Sequence, residues 1–290
     1  MFLVATNTKI MREMEFESAR VDDDPYAGDK LFRNDGDHFT EVTSQAGIIS
    51  TGIGYGLGIA IADINKDGWP DIYITNDYIE PDYLYINNGD GTFTNRMTEH
   101  VLHNSQSAMG NEINDFNNDT WPDIITADML SEDNRRLKLL YGQENYLEYA
   151  LQVMQGFYHS TMRNMLQLNN ANGTFSEIGQ LACVSNTDWS WAPPFADFDN
   201  DGLKDLIGTI GDFSDYTDHD FVKMKDDYYL EKSKTKEPAD TFWLTSFMTS
   251  TPVHNYIFKN NKDLTFTDKS KVWGFAKKGF SNGAAYSDLD

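Results

Sequence analysis

The sequence predicts an all-β fold with helical insertions: a partial β-propeller of about four four-stranded blades, with cation-binding loops between strands. Three observations predict it. A nine-residue aspartate loop recurs along the chain. An Asn/Gly hairpin recurs in phase with that loop. The surplus length of the later repeats falls at one fixed place in the repeat. A repeat of this kind decides the architecture before any single element is assigned.

The first loop is Asp63-Ile64-Asn65-Lys66-Asp67-Gly68-Trp69-Pro70-Asp71. Oxygen-bearing side chains stand at positions 1, 3, 5 and 9, and glycine stands at position 6. A hard cation such as Ca²⁺ takes six to eight oxygens from an anionic, adaptable cage, and the carbonyl of position 7 can add one. Glycine at position 6 permits a turn that a Cβ would obstruct. The flanks Gly58–Ile61 and Ile72–Thr75 are apolar and β-prone, so the reading is strand, loop, strand. Asp115 to Asp123 is a second copy and Asp197 to Asp205 a third. Asp288-Leu289-Asp290 begins a fourth, as expected of a piece of a longer polypeptide.

The hairpin motif follows the same beat. Leu31–Gly36 leads to Phe39, Leu84–Gly89 to Phe93, Leu166–Asn170 to Phe175, and Tyr256–Asn261 to Phe266. From Asn34 to Asp63, Asn87 to Asp115, Asn169 to Asp197 and Asn260 to Asp288 the separations are 29, 28, 28 and 28 residues. Asn, Asp and Gly tolerate the positive φ that tight hairpins need. Each unit then supplies a strand before the loop, a strand after it and the two hairpin strands, which together make a propeller blade.

The loops themselves lie 52, 82 and 91 residues apart, counting Asp63 to Asp115, Asp115 to Asp197 and Asp197 to Asp288. The surplus lies between the post-loop strand and the next hairpin, at about 129–164 and 212–254. Leu137, Leu140 and Tyr141, then Leu147, Ala150, Leu151 and Met154, have helical spacing in the first insertion. Phe221, Met224 and Tyr228 have it in the second, with Phe242 and Phe247 after Pro238. Insertions at one repeat position emerge on one face, where they either carry recognition or cap the fold. Residues 1–30 form a poorly defined leading segment, charged from Arg12 to Asp24 with a solvated turn at Asp22–Pro25, and 31–290 form the repeat domain.

Net charge is −23, which argues against direct nucleic-acid binding, since phosphate contacts need a basic face. Ten aspartates of that balance sit at loop ligand positions, so cation removal should destabilise by self-repulsion. The single cysteine, Cys183, excludes an intrachain disulfide and reads as a small buried apolar residue. No stretch reaches the length of a membrane helix. The glycines of Gly52–Gly58 precede a strand, so they read as close sheet packing and not as a nucleotide loop. An EF-hand would need a carboxylate at position 12, where Ile74, Thr126 and Gly208 stand. His100 and His103 lack a carboxylate companion and read as solvated. Trp189, Trp191 and Trp243 either stack on sugar rings or fill gaps between blades.

These motifs resemble the FG-GAP, or VCBS, repeat of integrin α-subunit propellers and of many bacterial surface and secreted proteins, over about residues 30–290. The segments Asp128–Asn134 and Asn186–Trp191 are similar to the bacterial cartilage acidic protein/UnbV-type group, whose C-terminal ASPIC/UnbV module is not seen here. The resemblance implies a Ca²⁺-stabilised propeller of about seven blades outside the cytoplasm (extracellular, cell-surface or periplasmic), used for adhesion or for binding a protein or glycan. Carried over by motif, the side-chain ligands are Asp63, Asn65, Asp67 and Asp71; Asp115, Asn117, Asp119 and Asp123; Asp197, Asp199, Asp201 and Asp205; and Asp288 and Asp290. Trp69, Trp121 and Leu203 give carbonyls. Thr120 stands where glycine is expected, and a β-branched residue at positive φ is strained by about 1–2 kcal/mol. Loop two is therefore expected to be the weakest site or to turn differently. The leading expectation is a non-catalytic module. The alternatives are a carbohydrate-processing enzyme with a site on the insertion-bearing face, and a purely structural surface scaffold.

Overall fold

The computed structural model describes residues 1–5, 20, 23–141 and 146–287. Asp288 and Asp290, and the charged segment 12–19 and 21–22, lie outside the described residues. Asp24 does hold a turn, its carboxylate accepting the amides of Tyr26 and Ala27 at 2.8 and 3.1 Å.

The chain is mostly β, in several antiparallel sheets. Three have four strands in meander order. The first runs β4 (Gly56–Ala62), β5 (Asp71–Asn76), β6 (Tyr83–Asn87) and β7 (Phe93–Asn95). The second joins β9 (Asn111–Asn114), β10 (Asp123–Thr126), β12 (Met165–Asn169) and β13 (Phe175–Glu177). The third joins β14 (Phe195–Ala196), β15 (Asp205–Gly208), β17 (Tyr256–Asn260) and β18 (Phe266–Asp268). Ahead of them, β1 (Phe2–Leu3), β2 (Lys30–Asn34) and β3 (Phe39–Glu41) form a three-stranded sheet. Two short pairs complete the set among the described residues: β8 (Asn104–Ser105) runs parallel to β11 (Ser160–Thr161), and β16 (Val253–His254) runs antiparallel to β19 (Lys278–Gly279). No strand pair links these four sheets, and no closed barrel forms among the described residues.

What joins the sheets is apolar packing between their faces. Strand alternation sends Ile72 and Ile74 of β5, with Tyr83 and Tyr85 of β6, towards the leading sheet, where they meet Ile48 and Leu31. It sends Tyr73 the other way, to a core shared with Ile124 and Phe175 of the second sheet. The next core holds Ile125 and Leu166 against Phe195, Leu206 and Phe258 of the third sheet. Both faces of β5 are therefore covered, which explains why Ile72, Tyr73 and Ile74 are large and apolar in succession and do not alternate with polar residues. The recurrent hairpin Phe fills the gap to the preceding sheet: Phe175 and Phe266 are 3% and 4% exposed, while Phe39, with no described sheet before it, is 53% exposed.

The glycine string does serve close packing. A Cβ on Gly58 would lie 2.6 Å from Thr75 Oγ1 and 3.0 Å from the carbonyl of Met109, which leads into the second sheet. The cysteine reading is corrected. Cys183 is exposed and holds a left-handed φ of 63°. It sits in the turn after a hairpin, at the place that Gly47 (φ 75°) and Gly274 (φ 88°) take in other repeats. That backbone geometry points the thiol outward.

Because the strands alternate in direction, the aspartate loops gather at one end of the sheets and the insertions at the other. The first insertion carries α2 (Asn134–Leu140) and α3 (Tyr146–Met154), after a single-turn α1 (Met97–His100) earlier in the chain. The second carries α4 (His219–Thr235) and α5 (Thr241–Thr245). Asp133, Asp218 and Asp240 cap α2, α4 and α5 by accepting amides of the first turn. In α3 the apolar residues Leu147, Leu151 and Met154 are exposed.

Candidate metal centre

The three aspartate loops share one backbone design. Position 4 is left-handed in each: Lys66 at φ 60°, Asn118 at 61° and Asn200 at 57°. Position 6 is left-handed too, with Gly68 at 91°, Thr120 at 77° and Gly202 at 85°. Loop two thus turns as its siblings do, and Thr120 carries the strain that a Cβ brings to this region.

The same amide bonds close each loop. The position 1 carboxylate accepts from the amides of positions 5 and 6: Asp63 from Asp67 and Gly68 at 3.0 and 2.9 Å, Asp115 from Asp119 and Thr120 at 3.1 and 2.8 Å, Asp197 from Asp201 and Gly202 at 3.1 and 2.8 Å. The position 5 carboxylate accepts from the amide of position 7, at Trp69, Trp121 and Leu203. Carboxylates at positions 1 and 5 are thereby held on the inside of the turn.

Position 2 anchors the loop. Ile64 and Phe116 are 2% and 0% exposed and fill successive inter-sheet cores. Phe116 lies 6.0 Å from Phe195 and 5.7 Å from Phe266, centroid to centroid. Position 9 stitches the loop to its hairpin. Asp71, Asp123 and Asp205 are fully buried. Asp71 accepts the amides of Ile64 and Asn87, Asp123 those of Phe116 and Asn169, and Asp205 those of Phe198 and Asn260.

These bonds tie each of these hairpins to the loops that precede it. The first Asn of each hairpin must reach the ninth loop residue, and it also reaches further. Asn169 Nδ2 donates to the carbonyls of Pro122 and of Ile64 in the preceding loop, at 3.1 and 3.3 Å. Asn260 Nδ2 does the same to Lys204 and Phe116, at 3.0 and 2.9 Å. Side chains at positions 4 add a second link. Lys66 Nζ donates to Thr120 Oγ1 at 2.6 Å and lies 4.4 Å from the Trp121 ring centroid. Asn118 Nδ2 donates to the carbonyl of Gly202 at 2.8 Å. Each loop is hydrogen-bonded to the next.

In loop three, Asp197, Asp199 and Asp205 bring one carboxylate oxygen each within 4.8 Å of one another, close enough to hold a metal ion together. In loops one and two, Asn65 and Asn117 replace the position 3 carboxylate, and their Nδ2 groups donate to Asp67 and Asp119 at 2.8 and 2.9 Å. Clustered buried charge is costly without a cation. Burial pushes the Asp123 carboxyl up to about 7 against the pull of its two amide bonds, and Asp119 and Asp115 add repulsion. Burial raises Asp71 and Asp205 in the same way. An oxygen-only, anionic donor set on pre-turned loops fits a hard divalent ion.

The sequence reading placed Asn87, Asn169 and Asn260 in the hairpin turns but missed that they clamp the loops, and it missed Lys259. The recurrence of an asparagine at one hairpin position was the available signal for the first three. Lys259 Nζ binds the carboxylates of Asp199 and Asp201, the latter at 2.6 Å. The corresponding residues of the other two hairpins are Ile86 and Leu168.

The insertion end has a different chemistry. Arg136 of α2 donates to both oxygens of Asp188, at 2.6 and 2.9 Å, and to Asp215 Oδ1 at 3.1 Å. Asp215 also accepts from Thr249 and Thr251. Burial acts to raise Asp188, but its bonds from Arg136, the Trp189 amide and Ser131 outweigh it and hold the carboxyl below its ordinary value. An open cleft of about 1040 Å³ lies here, with Arg136, Asp188, Asp215, Phe221, His254 and Tyr256 in its lining. Of the three tryptophans, Trp189 is buried against Met109 and Met129. Trp243 is half exposed, 5.1 Å from Tyr228 and 4.8 Å from Phe247. His103 is exposed and His100 half-buried.

With repeated sheets, phased hairpins and aspartate loops in view, the class of protein is defined. The chain belongs to the FG-GAP-like repeat family, whose model matches residues 19–74, 63–126 and 154–208, more than half of its length. Each match ends on the strand that leaves an aspartate loop. No curated protein sequence matches the chain. Six solved chains do. One is from a study of an Agrocybe aegerita lectin that specifically recognises non-reducing terminal N-acetylglucosamine. It is 16% identical with a TM-score of 0.36, over 83% of this chain and 45% of that one. The chain thus spans less than half the length of that structure. Among the described residues, no helix is long and apolar enough to cross a membrane.

Proposed function

We propose that the chain is a non-catalytic, calcium-binding β-propeller-like module that acts outside the cytoplasm in adhesion or in capture of a protein or glycan ligand. The observation that carries this reading is the convergence of Asp197, Asp199 and Asp205 on a loop whose backbone is repeated twice more in the chain. On this reading each four-stranded sheet is a blade, and about four blades fan around a common axis. Loop one would hold Ca²⁺ through Asp63, Asn65, Asp67, Asp71 and the Trp69 carbonyl. Loop two would use Asp115, Asn117, Asp119, Asp123 and the Trp121 carbonyl, and loop three Asp197, Asp199, Asp201, Asp205 and the Leu203 carbonyl. The fourth site, begun by Asp288 and Asp290, is part of the same proposal. The ion's role is to neutralise buried carboxylates and fix the loop ends of the blades.

Open loops of this kind suit affinities of about 10⁻⁴–10⁻³ M, which fill outside cells and empty in the cytosol. Kinship with the bacterial cartilage acidic protein/UnbV-type group belongs to this proposal too. Calorimetric titration tests it: heats at submillimolar to millimolar Ca²⁺ support the reading, and no heat at 10 millimolar (an order-of-magnitude ceiling above that range) overturns it. For the ligand, the insertion-end cleft offers polar groups beside Phe221 and Tyr256, a combination suited to a saccharide or a polar peptide loop. A glycan array separates the ideas: binding without turnover supports a lectin-like module, and product formation would make it a carbohydrate-processing enzyme.

A further inference from the structure

Loop three carries one more carboxylate than its siblings. Asp199 stands at position 3, where loops one and two have Asn65 and Asn117. The amide group of those asparagines donates to the position 5 carboxylate. Asp199 has no proton to donate, yet the equivalent carboxylate, Asp201, is not left bare. Lys259 reaches down from β17 and places its ammonium between Asp199 and Asp201. The two changes offset each other: at the ligand positions, the four carboxylates of loop three together with the Lys259 ammonium carry the same charge as the three carboxylates of each sibling loop.

We propose that Lys259 is a tethered counter-cation that holds loop three in its closed shape without metal, and that Ca²⁺ must displace this ammonium to take Asp199 and Asp201 as ligands. The inference rests on the calcium reading above. It makes loop three the weakest of the three sites, although it has the most carboxylates. Thr120 does not change that order, because the left-handed strain of loop two is present with or without an ion. Neighbouring contacts give the exchange a route outward. Loop three is bonded to loop two through Asn118 and the Gly202 carbonyl and through Asn260 and the Phe116 carbonyl. Release of Lys259 therefore occurs at a junction between blades, on the third-sheet hairpin that also supplies Asn260.

The test is Ca²⁺ calorimetry and thermal unfolding of the whole chain, wild type against Lys259→Met, with Lys259→Arg as the charge-keeping control. The wild type should show two tighter sites and one weaker site. Lys259→Met should tighten the weaker site by at least about threefold, the scale on which a half-exposed charge acts, and should lower the melting midpoint in EDTA more than in Ca²⁺. Lys259→Arg should leave both readings near wild type. Adding Asp197→Asn to Lys259→Met should remove the tightened class and so assign it to loop three. If Lys259→Met is too unstable to purify, Lys259→Gln removes the charge and keeps the reach. Unchanged affinities in the charge-removing variant, or equal destabilisation with and without Ca²⁺, would overturn the proposal. No Ca²⁺ heat in any protein would instead overturn the calcium reading itself, and this inference with it.

Discussion

The two ends of the sheets are built by different rules. At the loop end, three nine-residue turns repeat the same dihedrals, the same amide bonds and the same buried ninth aspartate. Their acids face one another, and burial raises the position 9 carboxyls. At the insertion end nothing repeats. Two of its buried acids, Asp188 and Asp215, are matched by one arginine already in place. On the calcium reading, the loop end leaves its charge for an ion from solution, whereas this pair is satisfied by a cation of the chain itself. Lys259 brings the second solution into the first region.

The largest effect should come from breaking the insertion end. Arg136→Ala leaves Asp188 and Asp215 buried without a counter-charge, which costs about 3–5 kcal/mol. Hydrogen exchange should then show lost protection over Asn134–Leu140 and His219–Thr235, with the calcium response of loops one and two intact. If the loops also lose that response, the two ends are not independent.

Breaking the loop end is the converse experiment. Asn260→Ala removes the donor to the carbonyls of Phe116 and Lys204 and should cost about 1–3 kcal/mol in chemical denaturation. The loss should appear in both loop two and loop three, because that one side chain serves both.

These partners mark the limit of what was legible beforehand. The loops, the hairpins and the four-strand unit could be read because they are local and periodic. The insertions could be read as helical from the spacing of Phe221, Met224 and Tyr228. Arg136 pairs with residues 52 and 79 positions away, on segments that do not repeat. Nothing in the local sequence marks it. Cys183 was misread for a related reason: hydropathy reports what a side chain prefers, whereas a left-handed turn dictates where it points. Lys259 was hidden because its partners precede it by about 60 residues.

A smaller contrast involves pH. Asp82 lies in the short connector where the later repeats carry insertions. Burial pushes its carboxyl up to about 7, against the pull of the Asn76 amide and the Tyr73 hydroxyl. A folded-state value above the ordinary one means that its contribution is fully present below about pH 4 and is lost as pH rises through 7. Asp82→Asn should flatten that decline between about pH 4 and about pH 7, measured in denaturant titrations without calcium.

The smallest change expected is a gain. Thr120→Gly removes the left-handed strain of loop two and should stabilise by about 1 kcal/mol, less the lost contact to Lys66. The equivalent change at Asn118, also left-handed, should gain less, because asparagine tolerates that region and its amide holds Gly202.

The measurement that bears most directly on the account is thermal unfolding in EDTA, in millimolar Ca²⁺ and in millimolar Mg²⁺. The account predicts a clear rise in midpoint with Ca²⁺ alone, since each site with a dissociation constant of about 10⁻⁴ M adds about 1.4 kcal/mol at about 1 millimolar Ca²⁺. Mg²⁺ should give little, because it demands a tighter octahedron than these loops offer. Identical midpoints in all three solutions would contradict it, leaving the aspartate loops as turns that hold their own charge.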